Sequence, residues 1–556
     1  MIMVNCDGAL SRYCISMSAA GLSPRASTIE KKAICAICRK RRDLILNEFG
    51  FPSILLDNFV GMEEEHAIRE IILTAHSRNY TELNWMNIPI GKYALYEFLL
   101  NNKLNSLNLN NAEWEEYKIY LFNTLKAAYA GRKILDEIKP EVIVTYNSLY
   151  SVNHVLCALA EQRGVPHYTL HAGDHIDRRY STMTIFKGLV SSRLVARTET
   201  WRQLSNMPIS PRQVQVVAEH INALLKATDP WVYSLASKKA NSESLRNYFR
   251  ISKDKRVLLA TMASADERFS AATIDAMPPF IEPMFPAQID WINALIKFVS
   301  HRNDLFLIIR VHPREFPNKR EQVLSKQAAE LQKLLVNLPS NIGVNWPKDQ
   351  ISLHDLIKIT DVGLNATSTS GIELGMFGAP VVLYDSNQLF SYPSEINYVA
   401  KDPEDYFKKI DMAIKDGWSI ENVRMVFRWL SYKFEYVSID ISDGLGKIKE
   451  LPRFVKLYYR LLQKFNKNYS FEESLLVRKL KQRPIPVKNS EKLSVAIERN
   501  LESHLKLENI VNDAQFSYEE ETIAIRAQVQ KMLQMMAWDD DASDILACKI
   551  RRVLSG

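Results

Sequence analysis

Two stretches of the chain alternate short, unbroken apolar runs with longer segments of helical period, the pattern of parallel β-α-β units. The first runs from about Leu44 to Thr200. It contains a strand at Val142-Ile-Val-Thr-Tyr146, a helix from Ser151 to Gln162 stopped by Gly164, and a strand at His167-Tyr-Thr-Leu170. A later strand, Leu189 to Ala196, precedes another helix near Glu199. The second stretch opens at Arg256-Val-Leu-Leu-Ala-Thr261 and continues through a helix at Gln288 to Ser300 into the strand Leu305 to Val311. A strand at Gly343 to Asn345, a helix around Leu353 to Ile359 and a strand Val362-Gly-Leu-Asn365 follow. Its last unit is a helix from Gly371 to Phe377, the break Gly378-Ala-Pro380 and the strand Val381 to Tyr384. These runs do not alternate apolar with polar residues, as expected of strands covered by helices on both faces.

Asp229-Pro230 and the polar stretch Ser237 to Arg246 separate the two regions. After Tyr398 the pattern turns helical, and from Leu451 onward it is helical throughout, divided by Arg483-Pro-Ile-Pro-Val487. No repeat of fixed period and no low-complexity segment interrupts it. A chain of 556 residues exceeds what one hydrophobic core supports. The pattern predicts an α/β protein of two Rossmann-like domains facing across a cleft, with an additional helical C-terminal region. The expected boundaries are a cysteine-containing cap over 1–43, a first domain over 44–225 and a second over 250–395. Return helices over 396–450 and an extension over 451–556 complete it. Open parallel sheets bind ligands beyond the carboxyl ends of their strands, so chemistry-bearing residues belong just after the apolar runs.

Three segments satisfy that condition. Arg310-Val-His312-Pro313-Arg314-Glu315 follows the strand from Leu305, with Pro313 stopping it. There His312 can donate to a phosphate oxygen while Arg310 or Arg314 balances the remaining charge, although a strand-end histidine satisfied by backbone has the same spelling. Asn365-Ala-Thr-Ser368-Thr369-Ser370-Gly371-Ile-Glu373 joins a strand to a helix. Free amides at that start, the hydroxyls of Ser368, Thr369 and Ser370, and the small Gly371 suit a phosphate. Glu373 caps the helix or accepts from ribose hydroxyls. In the first region, His171-Ala-Gly-Asp174-His175-Ile-Asp177 gathers two histidines and two carboxylates at a strand end, a base with a group to orient it. Asp174 is the first candidate for the base and His171 the second, with His175 in the cleft beside them. Ser264, Asp266 and Glu267 are further cleft candidates, or simply a helix start.

The order of these elements resembles the C-terminal domain of GT-B enzymes: a His-Pro after one strand, a Ser/Thr-x-Gly-x-Glu helix start, and a Gly-x-Pro before the next strand. More narrowly it resembles the capsule polysaccharide biosynthesis family that includes bacterial Kdo transferases. The supporting stretches are Ser264-Ala-Asp-Glu267, Gln288-Ile-Asp-Trp291-Ile, Ile309 to Glu315, and Ser370-Gly-Ile-Glu-Leu-Gly375 through Gly378-Ala-Pro380. The resemblance spans about Val257 to Tyr384, covers the N-terminal half loosely and leaves out the last hundred residues. It implies a glycosyltransferase that moves a sugar from a nucleotide-activated donor, CMP- or UDP-linked, to a surface polysaccharide or lipid-linked glycan. His312, Ser370 and Glu373 would hold the donor, and the N-terminal half the acceptor and base. No Asp-x-Asp pair stands at a strand end, and the implied transfer needs no metal and no cofactor beyond its substrate. Leu170-His171-Ala-Gly173 also resembles the His-Gly base motif of teichoic-acid glycerophosphotransferases, which leaves a CDP-polyol phosphotransferase as an alternative. A nucleotide-sugar 2-epimerase shares the fold, and a non-catalytic GT-B-like binding protein is the reading from a different class.

Composition sharpens the choice of partners. The net charge is +7, and 453–488 alone holds ten Lys or Arg against two Glu, so the remainder is nearly neutral and a nucleic-acid surface is not expected. That segment, with its aromatic and aliphatic residues, would either lie on an anionic inner-membrane surface through 452–488 or pack as a helix with solvated cations. No apolar run is long enough to span a bilayer, and the start Met1 to Cys14 has no secretory signal, so the expected location is the cytoplasm, at the inner face of the inner membrane if that contact forms. Of six cysteines, Cys6, Cys14, Cys35 and Cys38 fall in the cap, where they make either a structural metal site or free thiols.

Overall fold

The computed structural model describes residues 1–189, 200–227, 235–276, 284–318, 321–366, 368–384, 393–442, 489–506 and 516–537. The expected strand beyond Leu189, Asp229-Pro230, the basic segment 452–488 with its Pro-Ile-Pro break, and Cys548 lie outside these residues.

Twelve strands form three sheets among the described residues. Strands β1 (Met3–Asn5) and β2 (Ser53–Leu55) make a small parallel pair at the N-terminus. Strands β3 (Ile143–Tyr146), β4 (His167–Ala172), β5 (Thr182–Lys187) and β12 (Ile439–Asp440) make the second sheet, in the order β12-β5-β4-β3. The third is built from β6 (Arg256–Thr261), β7 (Leu305–Arg310), β8 (Ile342–Asn345), β9 (Val362–Asn365), β10 (Val381–Leu383) and β11 (Tyr398–Val399). Its order is β11-β10-β9-β6-β7-β8, with every neighbouring pair parallel.

The unalternating apolar runs are explained by the third sheet. Val257, Leu259, Phe306 and Ile308 point into one core, whereas Leu258, Ala260, Leu307 and Ile309 point into another on the opposite face. A strand with period two must therefore be apolar at every position. Each of these side chains other than Ala260 contributes about 1.5–3 kcal/mol on burial.

The N-terminal half is α/β, as expected, but differs from a continued series of parallel units beginning at Leu44. Residues before Pro140 are mainly helical, in Thr28–Phe49, Met62–Thr74 and Asn111–Ile138, and Leu44 sits inside the first of these. The β-α-β unit is β3, the helix Ser151–Gln162 and β4. β5 then pairs antiparallel with β4, because the short link from Ala172 to Thr182 cannot make the crossover of a dozen or more residues that a parallel return needs.

Near the expected boundary at residue 225 the two halves are tied together by packing. The helix Pro211–Lys226 packs against Ile420–Ser431 and the C-terminal helix Tyr518–Met535, and Val214, Val217 and Ile221 share a core with Ile372 and Phe427 of the second unit. The described part of the extension is helical, as predicted, and it bridges both halves. Tyr168 Oη of β4 donates to the Leu501 carbonyl at 3.0 Å, while Arg428 and Glu521 form a two-pronged buried pair, Nε to Oε1 at 2.8 Å and Nη2 to Oε2 at 2.6 Å. Glu521 Oε1 also accepts from the Ile209 amide at 3.0 Å.

Removing one partner of a buried pair leaves an uncompensated charge, so Glu521→Ala is expected to lower unfolding free energy by about 3–5 kcal/mol. Urea denaturation measures this, and a loss below about 1 kcal/mol would contradict the role given to Arg428.

Candidate functional site

Parallel pairing sets the register of the strand ends. Thr261 at the end of β6 stands opposite Arg310 at the end of β7 and Asn365 at the end of β9. Arg310 in turn stands opposite Asn345 of β8. Four polar residues thus lie in a row at the carboxyl edge of an otherwise apolar sheet. Beyond that edge is a cavity of about 310 Å³. Thr261, Arg310, His312, Ser368, Thr369, Ser370 and Glu373 line it from the sheet. Asp174, Ile176, His220, Lys433 and Phe434 line it from the N-terminal half and the return helices.

On the sheet wall, Asn365 organises the loop after β9. Its Oδ1 accepts from the hydroxyls of Thr261 (2.7 Å) and Ser370 (3.2 Å), and its Nδ2 donates to the Ser368 carbonyl (2.8 Å). The Ser368 hydroxyl accepts from the Ser370 amide at 3.3 Å. Arg310 is held by the Asn345 side chain and by the Ile351 carbonyl at 3.1 Å, and burial brings its guanidinium down to about 10. His312 precedes the turn Pro313–Glu315, and its Nδ1 accepts from the Arg314 amide at 3.3 Å. Burial, followed by the charges of Arg314, Arg310 and Lys103, pushes His312 down to about 3, so the ring is neutral near pH 7. Glu373 Oε2 lies 2.8 Å from Nε2 of the fully buried His354.

On the facing wall, Asp174 Oδ2 lies 3.2 Å from Lys433 Nζ, an ion pair that ties the loop after β4 to the return helices. The approach depends on Gly173, where an added Cβ would sit 2.0 Å from Thr182 Oγ1. Lys433 stands in a π-helical turn, Tyr432–Tyr436, a geometry often found at functional sites. His220, on Pro211–Lys226, accepts the Ile176 amide at Nδ1 (3.1 Å).

Of the expected site residues, the structure gathers Asp174, Arg310, His312, Ser368, Thr369, Ser370 and Glu373 around one cavity. It places the others elsewhere. Arg314, expected at the phosphate, is buried and bonded to Ser264 Oγ (2.7 Å) and to both oxygens of Asp266, with its amino group 3.4 Å from the Leu100 carbonyl. Ser264, Asp266 and Glu267, expected in the cleft or at a helix start, stand at the start of the helix Ala265–Thr273; Ser264 and Asp266 immobilise Arg314, and Glu267 is an exposed residue 3.6 Å from Arg314 Nε. His171 lies off the cavity wall, with Nδ1 3.0 Å from the Ala172 carbonyl and its ring stacked on Tyr146. His175 is buried behind the wall, Nε2 3.1 Å from the Val216 carbonyl, its ring against Phe434 and His220. Gly371 is buried within the helix Ser370–Met376. Among the described residues no group of three or more His, Cys, Asp or Glu is arranged to hold a metal ion; the four cap cysteines are half-buried free thiols, and burial pushes that of Cys14 up to about 11.

Lys433, His220 and Asn365 were not singled out by the sequence. Asn365 heads a quoted motif, while Lys433 is a lone cation in the aromatic run Trp429 to Tyr436. His220 has the spelling of an ordinary core histidine on an amphipathic helix.

Solved GT-B-type structures resemble this chain. One is KpsC, a β-Kdo 2,4 transferase of Thermosulfurimonas dismutans, at 12% identity over 51% of this chain and 78% of that one, TM-score 0.31. Another is the UDP-GlcNAc 2-epimerase of Methanocaldococcus jannaschii in complex with UDP-GlcNAc and UDP, at 14% identity over 78% and 99%, TM-score 0.26. A third is MnaA of S. aureus with UDP, at 12% identity over 81% and 98%, TM-score 0.25. No family model and no curated protein matches the chain. Residue roles therefore rest on the geometry of this molecule alone.

Asn365→Ala removes one side chain that satisfies two hydroxyls and a carbonyl. An unsatisfied buried group costs about 1–3 kcal/mol, so a stability loss of that size is expected by urea denaturation. An unchanged midpoint would show that the loop after β9 is held by something else.

Proposed function

We propose that the protein is a glycosyltransferase that moves a sugar from a nucleotide-activated donor to a surface polysaccharide or lipid-linked glycan. The observation that carries this reading is the single cavity in which His312, Arg310 and the Ser368–Ser370 hydroxyls face the Asp174–Lys433 pair. One wall offers donors and positive charge to a diphosphate, and the other offers a carboxylate to an acceptor hydroxyl.

In this reaction Asp174 takes the proton of the acceptor hydroxyl as its oxygen attacks the anomeric carbon. The bond from that carbon to the phosphate oxygen breaks, and its electron pair leaves with the nucleotide. Arg310, His312 and the hydroxyls of Ser368 to Ser370 receive the developing phosphate charge. Lys433 balances Asp174 in the free enzyme and can turn to the same phosphate when the proton has moved. Positive side chains thus perform the charge stabilisation, and the reading needs no metal. Glu373 would meet the ribose end of the donor, for which CMP and UDP are the first candidates.

The position of His171 favours sugar transfer over polyol phosphate transfer, since that alternative leaned on His171 as base and the ring stacks on Tyr146 outside the cavity. Among the described residues no helix is long and apolar enough to cross a membrane. A lipid-linked acceptor would be met at the cytoplasmic face of the inner membrane, through the basic segment 452–488.

A thermal-shift series with CMP, CDP, UDP and GDP tests the reading. At a hundred times its Kd the right nucleotide stabilises by about 2.7 kcal/mol. His312→Ala is expected to weaken that binding about tenfold or more, whereas Asp174→Asn retains it and lowers turnover by about 10²–10⁴. Stabilisation by none of the four nucleotides would overturn the assignment, and binding without turnover of any sugar donor would make the chain a binding protein.

A further inference from the structure

We propose that His220 is a second imidazole donor to the anion in this groove, working with His312 from the facing wall as a pair of uncharged N–H groups. The proposal rests on the reading that the groove holds a nucleotide diphosphate, and it deepens that reading by assigning a binding residue and by separating donors from the base.

The argument begins with tautomers. A neutral imidazole has one protonated and one bare nitrogen, and a nitrogen that accepts a hydrogen bond is the bare one. The Ile176 amide donates to Nδ1 of His220 at 3.1 Å, and the Arg314 amide donates to Nδ1 of His312 at 3.3 Å. Backbone amides cannot reverse their role, so both rings carry their proton on Nε2. The two residues come from unrelated elements, one from the helix Pro211–Lys226 and one from the turn after β7. Both nevertheless line the same cavity in the same tautomer.

The surroundings of His220 keep it uncharged. Burial, then His175 of the loop after β4 and Lys433 of the π-helical turn, push it down to about 3, with Asp174 acting in the opposite sense. The Phe434 ring lies 4.6 Å away, and His175 is packed edge-on at 5.3 Å with its Nε2 on the Val216 carbonyl. An imidazole whose Nε2 already carries the proton, and whose bare Nδ1 accepts the Ile176 amide, offers the groove no nitrogen to take a proton, so it does not serve as the base. It can donate to a phosphate oxygen without bringing a charge that must be desolvated. The groove therefore combines two neutral donors, His220 and His312, with the cations Arg310 and Lys433 and leaves proton removal to Asp174.

Two measurements test the assignment. The first is ¹⁵N NMR of histidine-labelled full-length protein between pH 8 and 5, with His220→Gln used to assign the resonance. His220 is expected to keep the Nε2-protonated neutral form throughout; a ring protonated at Nδ1, or one that titrates in this range, overturns the proposal whatever the ligand. The second is calorimetric titration with CMP, CDP, UDP and GDP, carrying the tightest binder into His220→Gln and His220→Asn after circular dichroism confirms that both fold. Glutamine places an amide nitrogen at the reach of imidazole Nε2, whereas asparagine reaches only as far as Nδ1. His220→Gln is expected to bind within about threefold of the unmutated protein and His220→Asn about tenfold or more weakly. Equal binding by the unmutated protein and both variants overturns the role of His220 and leaves the proposed function standing. Failure of the unmutated protein to bind any of the four nucleotides overturns both.

Discussion

The site depends on the parallel register at the centre of the larger sheet. Because β6 pairs in parallel with both β7 and β9, Thr261, Arg310 and Asn365 finish at one level. Everything before them in those strands is apolar and faces one of two cores. The polar row is therefore the first place where these strands can present chemistry, and the loops that leave it are the ones that reach the groove. A slip of register would break the Thr261–Asn365 hydrogen bond, release the Ser368–Ser370 loop and draw His312 away from it.

Across from that row, the second wall is assembled from distant parts of the chain. Asp174 follows β4, His220 lies on a helix that shares the core of the second unit, and Lys433 lies on a return helix. The Asp174–Lys433 pair and the Arg428–Glu521 pair join these pieces. A further tie is Lys103, which reaches from the first half to the Phe316 and Val323 carbonyls at 2.9 and 2.8 Å. Burial lowers Lys103 to about 8, and Glu321 is the first of its neighbours to oppose that fall. Arg314 belongs to the same junction. Its charge is bound to Asp266 behind the groove, so it supports the turn that carries His312 rather than meeting a ligand.

The second α/β unit was legible in the sequence because its strands are buried on both faces, which forces continuous apolar runs such as Leu305 to Ile309. The turn chemistry that ends them, Pro313 after His312 and the hydroxyl cluster after Asn365, is equally local, and so that wall of the site could be read from spacing. The first unit was less legible. Its mixed sheet has a short antiparallel return that spells much like a crossover, and its helical start carries no strand signal before β3 apart from the brief β1 and β2. His171 and Asp174 are indistinguishable as letters; which of them meets the groove is decided by Gly173 fitting against Thr182 and by Tyr146 stacking on His171. Lys433 and His220 depend on packing between segments more than two hundred residues apart, which no local pattern encodes.

The central claim is that a nucleotide's phosphates sit between the His312 wall and the Asp174 wall. A crystal structure of the chain with the bound nucleotide diphosphate tests it most directly. The account predicts phosphate oxygens at hydrogen-bonding distance, about 2.7–3.2 Å, from His312 Nε2 and from the hydroxyls after Asn365. Phosphates bound outside this groove, or within it but turned away from His312, would contradict the account.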